Sequence, residues 1–293
     1  MNDITAIILT KNEELNIERC INSIKDLADR IVVVDSGSTD KTCEIAKELG
    51  AEIYFHEWKH YADQFNWAID NTNITTKWVY RIDADEIVTP ELSSEIKEKT
   101  KEHAEDNVNG FVMKFKIFFL GRFLKHGGVY PFYNLTIFKL GKGRYEDRAM
   151  GEHIVLNSGE TIELKNDCIH YDVKDLTTWV DKHNKYATRE VIDYYENLGK
   201  SDKLANLYEE AEKAKKKRDG LYYKLPKYFR ARLYYWYRYY LKLGFLDGQA
   251  GRVYAFLQAY WYRYLVDAKI YEKEIENRGP KPEKKRGKKR DEK

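Results

Sequence analysis

The sequence has little cysteine: Cys20, Cys43 and Cys168 are the only three among 293 residues, and they lie far apart. An odd number without short spacings provides neither a disulfide framework nor a zinc-binding pattern. The first residues also lack a basic segment and a cleavage site, so we expect no secretory signal peptide. Both absences favour a reducing compartment, and the chain is predicted to be cytoplasmic.

The sequence also lacks the charge distribution and the apolar runs of several other protein classes. The formal net charge is +3, but residues 281–293 hold eight Lys or Arg against three Asp or Glu, so the remainder is slightly acidic. A nucleic-acid footprint over the fold is not supported, and no nucleic-acid partner is expected. The apolar stretch at residues 253–266 is shorter than the roughly 20 apolar residues that a membrane span needs.

The first ninety residues alternate between buried strands and amphipathic helices. Runs of β-branched and apolar residues predict the strands, and apolar residues at helical spacing predict the helices between them. Strands are predicted over residues 4–10, 30–35, 52–56 and 78–82, and helices over residues 14–25, 41–49 and 61–71. Thr89 and Pro90 mark a further helix start, as cap and first helical residue. The alternation predicts a parallel sheet with helices on its faces.

The sequence changes in character after Gly110. Residues 111–120 and 130–140 are aromatic-rich strand candidates, which predict antiparallel or mixed strands added to the sheet. The later chain is predicted to be helical, with breaks near residues 199 and 220 and at residues 243–251, and the charged end without periodicity is predicted to be disordered. We therefore expect a catalytic domain, a helical appendage that lies at a membrane interface or serves the acceptor, and a basic tail. Their bounds are residues 1–174, 175–277 and 278–293.

The clearest chemical signal is the acidic segment that follows the fourth predicted strand. Asp83 and Asp85 are two residues apart, so both carboxylates can face one crevice beyond the carboxyl end of the strand. Like charges held together repel unless a cation lies between them, and Mg²⁺ or Mn²⁺ prefers carboxylates combined with phosphates. The segment predicts a Mg²⁺ or Mn²⁺ site that neutralises a diphosphate leaving group. A solvated acidic turn is the alternative.

Several motifs occur in a characteristic order. Three of them accompany predicted strand ends: Thr10-Lys11-Asn12-Glu13-Glu14, Val33-Val34-Asp35-Ser36-Gly37-Ser38-Thr39-Asp40 and Asp83-Ala84-Asp85. Later motifs are Phe118-Phe119-Leu120-Gly121-Arg122, His126-Gly127-Gly128, Gly151-Glu152-His153, His170-Tyr171 and Gly244-Phe245-Leu246-Asp247-Gly248. In this combination the chain resembles the glycosyltransferase 2 family, and the later motifs are similar to its bacterial lipopolysaccharide-core and capsule enzymes.

The resemblance implies an α/β GT-A fold, which is a Rossmann-like mixed sheet flanked by helices, with a C-terminal helical appendage. It also implies a nucleoside-diphosphate sugar donor, with a UDP-sugar expected, and inversion at the anomeric carbon. The acceptor would be a hydroxyl of a lipid-linked or cell-surface glycan, such as lipopolysaccharide core or capsule. Phe132 and Thr136 lie where relatives more often carry polar or basic residues, so the acceptor cannot be copied from a relative.

By the same resemblance, the first and second strand ends hold the nucleotide. Asp35 can accept a hydrogen bond from a base N–H, because Asp40 is expected to cap the following turn, and Glu13 can bind a ribose hydroxyl. Asp83 is expected to face the ribose or the metal, and Asp85 to bind the metal directly. Arg81 either offsets phosphate charge or is structural. The complete expected nucleotide-sugar set is Thr10, Asn12, Glu13, Asp35, Arg81 and Asp83.

An inverting transfer needs a base that takes the proton of the attacking hydroxyl. Residue types alone allow Glu146, Asp147, Glu152 or His153. The resemblance favours Glu152, because the family has a His-Glu pair there, but Gly151 replaces that histidine here and leaves Asp147 as the rival. His170 could be a metal or phosphate ligand, or it could be structural.

Residues 224–252 combine seven Lys or Arg with many Tyr, Trp and Phe. This composition suits helices that lie in a membrane interface, with aromatic rings at headgroup depth and cations on lipid phosphates. Arg230, Arg238 and Lys242 are expected among those cations, with Phe229, Trp236, Phe256 and Trp261 as the apolar part. The chain is therefore predicted to be peripheral at the inner face of the cell membrane. An aromatic appendage packed on the catalytic domain, or an oligomer contact, is the alternative.

The leading prediction is a metal-dependent, inverting hexosyltransferase. A nucleotidyltransferase that makes a nucleotide sugar is a second possibility, but it usually has a glycine-rich, basic loop that Lys11-Asn12-Glu13-Glu14 does not match. An inactive nucleotide-sugar-binding protein is a third possibility. Retention of both Asp83 and Asp85 argues against it.

Overall fold

The computed structural model describes residues 2–146, 153–196 and 222–278. The strands are β1 Ile4–Thr10, β2 Arg30–Asp35, β3 Glu52–Phe55, β4 Trp78–Asp83, β5 Glu86–Val88, β6 Val108–Phe119, β7 Arg122–Phe123, β8 Phe132–Lys139, β9 Gly143–Tyr145, β10 Ile154–Leu156 and β11 Glu160–His170. The α-helices are α1 Ile17–Ile24, α2 Thr42–Glu48, α3 Tyr61–Asn71, α4 Pro90–Glu102, α5 Leu176–Glu196, α6 Phe229–Trp236, α7 Gly248–Tyr254 and α8 Tyr262–Arg278. Shorter helical segments are Tyr237–Leu241 after α6, Gly244–Asp247 before α7 and Ala255–Trp261 between α7 and α8.

A mixed sheet lies at the centre of the fold, with the strand order β3-β2-β1-β4-β8-β6-β11-β5. The first four strands in this order are parallel to one another. β8 is antiparallel to both β4 and β6, whereas β11 is parallel to β6. The predicted parallel sheet with further mixed strands is confirmed, as is the α/β class.

The central strands are apolar along their length because helices cover both faces of the sheet. Ile17, Cys20, Ile21 and Ile24 of α1 recur at helical spacing and pack with α2 and α4 residues on one face. Phe65 and its neighbours in α3 pack on the other face, together with apolar residues of the small β9–β10 ribbon. This two-sided burial fixes the positions of the strand ends that build the site.

Several element boundaries differ from the predicted ones. α1 begins at Ile17 rather than at residue 14, because the preceding loop is bonded to the start of α2 instead of coiling. There the Glu13 N–H donates to Thr42 Oγ1 at 2.7 Å, and the Glu14 N–H donates to Asp40 Oδ2 at 3.2 Å. The start of α4 is as predicted, since Thr89 Oγ1 accepts a hydrogen bond from the Leu92 N–H at 3.2 Å.

The C-terminal helices are joined to the sheet through two of the motifs seen in the sequence. The Gly127 N–H donates to the Lys242 carbonyl at 2.7 Å, and the Asp247 carboxylate accepts from the His126 N–H at 2.8 Å. A Cβ on Gly244 would approach the Arg238 carbonyl to 3.0 Å, so a larger residue here would crowd the backbone. These glycines and Asp247 therefore form a joint between the β7–β8 connection and the helical region.

The predicted C-terminal helical region is confirmed where it is described. α5 and α8 share an apolar cluster that includes Ala187, Val191 and Ile270. The buried carboxylate of Glu190 in α5 accepts from Tyr262 Oη at 2.6 Å. The predicted helix breaks near residues 199 and 220, and the predicted tail from residue 279, lie outside the described residues. None of the helices in the described ranges is long and apolar enough to cross a membrane.

Candidate active site

A cleft of about 700 Å³ opens at the carboxyl ends of the parallel strands. The register explains why distant residues meet there, because Thr10 pairs with Asp35 across β1 and β2. Asp83 pairs with Leu9 across β4 and β1. The end of β11 comes to the same place, since His170 pairs with Glu86 of β5. The sheet thus gathers the ends of its strands around one cavity, as parallel sheets generally do at ligand sites.

Asp83 is held by neighbours on β4 and α3. Its carboxylate accepts from Tyr61 Oη at 2.7 Å and is paired with the Arg81 guanidinium. Arg81 is buried and also bonds Glu86 Oε1 at 3.1 Å. Burial raises the pKa of Glu86 to about 7, although Arg81 opposes the shift. Arg81 does not line the cleft, and the structure gives it carboxylate partners inside the protein.

Asp85 lines the cleft and is partnered by His170. His170 Nε2 lies 3.1 Å from Asp85 Oδ2. Burial disfavours the imidazolium, but the Asp85 carboxylate outweighs it and the pKa of His170 is raised to about 9. Burial alone would likewise raise the pKa of Asp85, yet the attraction to His170 holds it well below its usual value. The two groups form an ion pair at neutral pH.

The loop after β1 contains two nucleotide-binding candidates. Glu13 faces the cleft, whereas Asn12 bonds a neighbouring turn. Glu13 lines the cleft and is paired with Lys174, and its Oε2 accepts from Asn16 Nδ2 at 2.9 Å. Burial raises the pKa of Glu13 against these stabilising contacts. Asn12 instead holds the neighbouring turn, since its Oδ1 accepts from the Thr39 N–H at 2.8 Å.

The expectation that Asp35 is free of the turn was wrong. Asp35 Oδ2 accepts from the N–H groups of Gly37 and Ser38, both at 2.7 Å, and Oδ1 accepts from Thr10 Oγ1 at 2.9 Å. Asp40 Oδ1 accepts from the Thr42 N–H at 3.0 Å, at the start of α2. Asp35 thus accepts from N–H groups early in this turn, and Asp40 accepts from an N–H group after it.

The predicted site residues therefore fall into three groups. Thr10, Glu13, Asp83, Asp85 and His170 line the cleft together. Asn12, Asp35 and Arg81 lie behind it and hold the lining residues or their loops. The two candidate bases, Asp147 and Glu152, lie outside the described residues.

One wall of the cleft was missed by the sequence analysis. α5 contributes Trp179, Lys182, Tyr186 and Arg189 to the lining, although the chain from residue 175 was assigned to an appendage. The signal was present in the sequence, since these residues recur three or four apart and so share one helix face. The predicted domain boundary after residue 174 therefore falls just before α5, the helix that forms this wall of the cleft.

The cleft residues fit the coordination chemistry of Mg²⁺ or Mn²⁺. Asp83 and Asp85 offer carboxylate oxygens, which have more acceptor positions than their present hydrogen bonds use. Within the described ranges, no three His, Cys, Asp or Glu side chains are grouped closely enough to hold a cation by themselves. Mg²⁺ is usually bound by one or two carboxylates and completed by substrate phosphates and water.

Comparison with known proteins adds to this geometry. Residues 5–156 match the sequence profile described as "Glycosyl transferase family 2". An uncharacterized glycosyltransferase of Rickettsia typhi is 40% identical over 121 residues, which span 41% of this chain and 41% of that protein. The lipopolysaccharide core biosynthesis glycosyltransferase LpsC of Rhizobium meliloti is 30% identical over 280 residues, or 92% of each chain.

Solved structures are also similar over part of the chain. Glucosyl-3-phosphoglycerate synthase from Mycobacterium tuberculosis, in complex with Mn²⁺, uridine diphosphate and glucosyl-3-phosphoglycerate, is 23% identical. The superposition has a TM-score of 0.32 and covers 39% of this chain and 44% of that one.

Proposed function

Since the chain belongs to glycosyl transferase family 2, we propose that it moves a sugar from a UDP-sugar to a glycan hydroxyl, with inversion at the anomeric carbon. The proposal rests on one observation above all. The cleft at the strand ends combines a nucleotide-side loop, represented by Thr10 and Glu13, with the carboxylates of Asp83 and Asp85. A diphosphate and a divalent cation are the ligands that such a pairing suits.

On the donor side, Asp85 would hold Mg²⁺ or Mn²⁺, with Asp83 and His170 beside it. When bound, the cation would supply charge neutralisation for the departing diphosphate. Asp83 is oriented by Tyr61 and Arg81, so its carboxylate does not need to be ordered when the donor arrives. Glu13 would accept a hydrogen bond from a ribose hydroxyl.

For the acceptor, we propose a lipid-linked or cell-surface glycan. The similarity to LpsC extends over 92% of both chains, and that protein is described as acting in lipopolysaccharide core biosynthesis. This supports lipopolysaccharide core, capsule or a related polysaccharide as the acceptor class. α5 lines the same cleft, and its residues there are available to an acceptor.

A donor screen tests the proposed function directly. The full chain is incubated with UDP-, GDP- and dTDP-sugars, each with Mg²⁺ or Mn²⁺, and released nucleoside diphosphate is measured. We expect release from a UDP-sugar that stops when EDTA is added. Production of pyrophosphate from a nucleoside triphosphate and a sugar 1-phosphate would instead favour the nucleotidyltransferase. Binding of donors without any turnover would favour the inactive sugar-nucleotide binder.

We further propose that α6 and the segment after it contact the inner face of the cell membrane. Phe229, Leu233, Trp236 and Tyr240 recur on one helix face, and each is exposed, with 55% of Phe229 and 48% of Trp236 accessible. Such a row of large apolar side chains suits the interface of a lipid bilayer. Arg232 and Lys242 are exposed beside it and can approach lipid phosphates.

Two of the cations expected at the membrane serve another purpose. Arg230 is buried and paired with Asp267, to whose Oδ1 its Nε donates at 2.8 Å. Arg238 Nε donates to the Gly127 carbonyl at the joint with the sheet. Trp261 packs with the cluster shared by α5 and α8. The proposed membrane surface therefore consists of the exposed residues alone: Phe229, Leu233, Trp236, Tyr240, Arg232 and Lys242.

Charge reversal at the exposed cations tests this surface. The double variant Arg232→Glu/Lys242→Glu is expected to bind anionic phosphatidylglycerol vesicles several-fold more weakly, because each basic residue near such a surface contributes about 1 kcal/mol. Phe229→Ser/Trp236→Ser should remove the binding that persists at high salt. Lys47→Glu, an exposed change on α2, is the matched control. Vesicle binding is measured by sedimentation. If the wild-type protein does not bind these vesicles at low salt, the proposal is contradicted.

A further inference from the structure

The α5 wall of the cleft carries three cations, Lys182, Lys185 and Arg189, which we call the α5 cations. Their spacing of three and four residues places them along one helix face. At 1.5 Å of rise per residue, the row is about 10 Å long. It therefore extends well beyond the size of a single phosphate group.

None of the α5 cations is in an ion pair with a carboxylate in the part of the chain that the structure describes, although Asp85, Asp172 and Glu13 are near enough to raise the pKa of Lys182. Lys174 is neutralised by Glu13, and Arg81 by two carboxylates. Asp181 precedes Lys185 by one helical turn, yet no ion pair joins them. Cations without an ion pair on the wall of a cleft attract anions, because a cleft lined by one sign of charge focuses the field.

The two ends of the row face different surroundings. Lys182 lies among the donor-side acids: burial alone would lower its pKa, but Tyr186 and Asp85 lead the neighbours that raise it. Lys185 lies one turn further along, and Arg189 about two turns from Lys182. The guanidinium of Arg189 stacks on the Tyr186 ring at 4.8 Å from its centroid. This stacking orders the guanidinium while leaving its in-plane N–H groups available.

We propose that Lys185 and Arg189 form a subsite for an anionic group, a phosphate or a carboxylate, on the acceptor glycan. This inference rests on the glycosyltransferase function proposed above. Lys182 completes the row at the donor end, next to the departing diphosphate. Tyr186, between Lys182 and Arg189 in the helix, and Trp179, one turn before Lys182, line the same wall and give it apolar surface for a sugar ring.

A subsite of this kind would select the acceptor as well as hold it. An Arg binds a phosphate or carboxylate through two parallel hydrogen bonds, so it fixes the orientation of the attached sugar. A neutral glycan would leave both cations unpaired in the cleft. The acceptor is therefore expected to carry a negative charge within about 10 Å of its attacking hydroxyl, the length of the α5 row.

The same cations could instead hold the diphosphate of the donor, and binding measurements separate the two sources. Inorganic phosphate is titrated by calorimetry into the full chain after saturation with UDP and Mg²⁺. We expect phosphate to bind this complex, and its affinity to fall about tenfold or more in Lys185→Ala/Arg189→Ala, because charge-assisted hydrogen bonds are lost. UDP affinity should change less than twofold in the same variant.

Two further variants make the result specific. Lys185→Arg/Arg189→Lys keeps both charges and should retain most of the phosphate affinity. Lys101→Ala removes an exposed cation on α4 and should bind phosphate like the wild type. Thermal melting of every variant checks that the fold is intact.

The possible failures have different meanings. If phosphate competes with UDP and the double variant weakens UDP binding, the cations hold the donor diphosphate and the acceptor subsite is overturned. If UDP binds but phosphate does not, or if the double variant binds phosphate normally, the subsite is overturned and the proposed function stands. If the wild type binds neither UDP nor any UDP-sugar, the proposed function itself fails.

Discussion

Replacing Asp85 with asparagine is expected to reduce sugar transfer by roughly 10³-fold or more, because a bound divalent cation contributes several kcal/mol to transition-state stabilisation and each 1.36 kcal/mol is tenfold in rate. Asparagine keeps the shape of the side chain but loses the charge that would hold the cation. Asp85 is buried at the cleft surface and lies 3.1 Å from His170. Initial rates at saturating donor and Mg²⁺ or Mn²⁺ measure the effect.

A matched substitution elsewhere separates this effect from a general loss of charge. Asp70 is an exposed carboxylate paired with Arg144 at 2.8 Å, remote from the cleft lining. Exposed pairs contribute about 1 kcal/mol or less to stability, so Asp70→Asn should leave both folding and turnover nearly unchanged. Thermal melting of Asp85→Asn reports on its fold. Full activity in Asp85→Asn, or in the wild type after chelation, contradicts the metal-binding role.

The sheet and the edge at which the site lies could be predicted because both depend on local patterns. Continuous apolar runs mark β1, β2 and β4 as strands buried on two faces, and the helical segments between them impose parallel pairing. Parallel pairing then brings Thr10 and Asp83 to the same edge without any knowledge of the side chains around them. The position of Thr89 and Pro90 likewise sets the start of α4 from local chemistry alone.

The partners of the site residues could not be predicted, because they come from distant parts of the chain. His170 reaches Asp85 across 85 residues of sequence, through the pairing of β11 with β5. Arg81 is paired with Asp83 and Glu86, and its Nε donates to Tyr61 Oη at 2.8 Å. The alternation of side chains along a strand shows on which side of the sheet Arg81 lies. It does not show which carboxylates lie on that side.

The C-terminal helices show the same limit at a larger scale. Their periodicity predicts α6, but it does not tell an exposed face from a packed one when both are aromatic. Arg230 has a structural role because it pairs with Asp267, which lies 37 residues later in α8. Phe229, directly before it, stays exposed on the surface. The position of α8 places Asp267 against Arg230, so this cation is not available to a membrane. α8 also packs on α5, which forms a wall of the cleft.

The identity of the base is a second prediction with a large expected effect. Glu152 lies in the chain that connects β9 to β10, outside the described residues. The Glu146 N–H donates to the His153 carbonyl at 3.1 Å, so the ends of this connection are held together. Tyr145, at the end of β9, contacts Tyr61 with ring centroids 5.1 Å apart. Because Tyr61 lines the cleft and bonds Asp83, the described residue Tyr145 lies next to a residue of the cleft wall.

Glu152→Gln is expected to lower kcat by about 10²–10⁴-fold, since glutamine keeps the shape of the side chain but cannot take the proton of the acceptor hydroxyl. Donor binding should persist, because the base acts on the acceptor and not on the nucleotide. Turnover is measured as nucleoside diphosphate release with acceptor present, and donor affinity as binding of UDP. Asp147→Asn is the comparison, and it should retain most of the wild-type turnover. If Asp147→Asn shows the large loss in kcat and Glu152→Gln stays active, the two assignments must be exchanged. If neither variant loses turnover, the base is neither Glu152 nor Asp147.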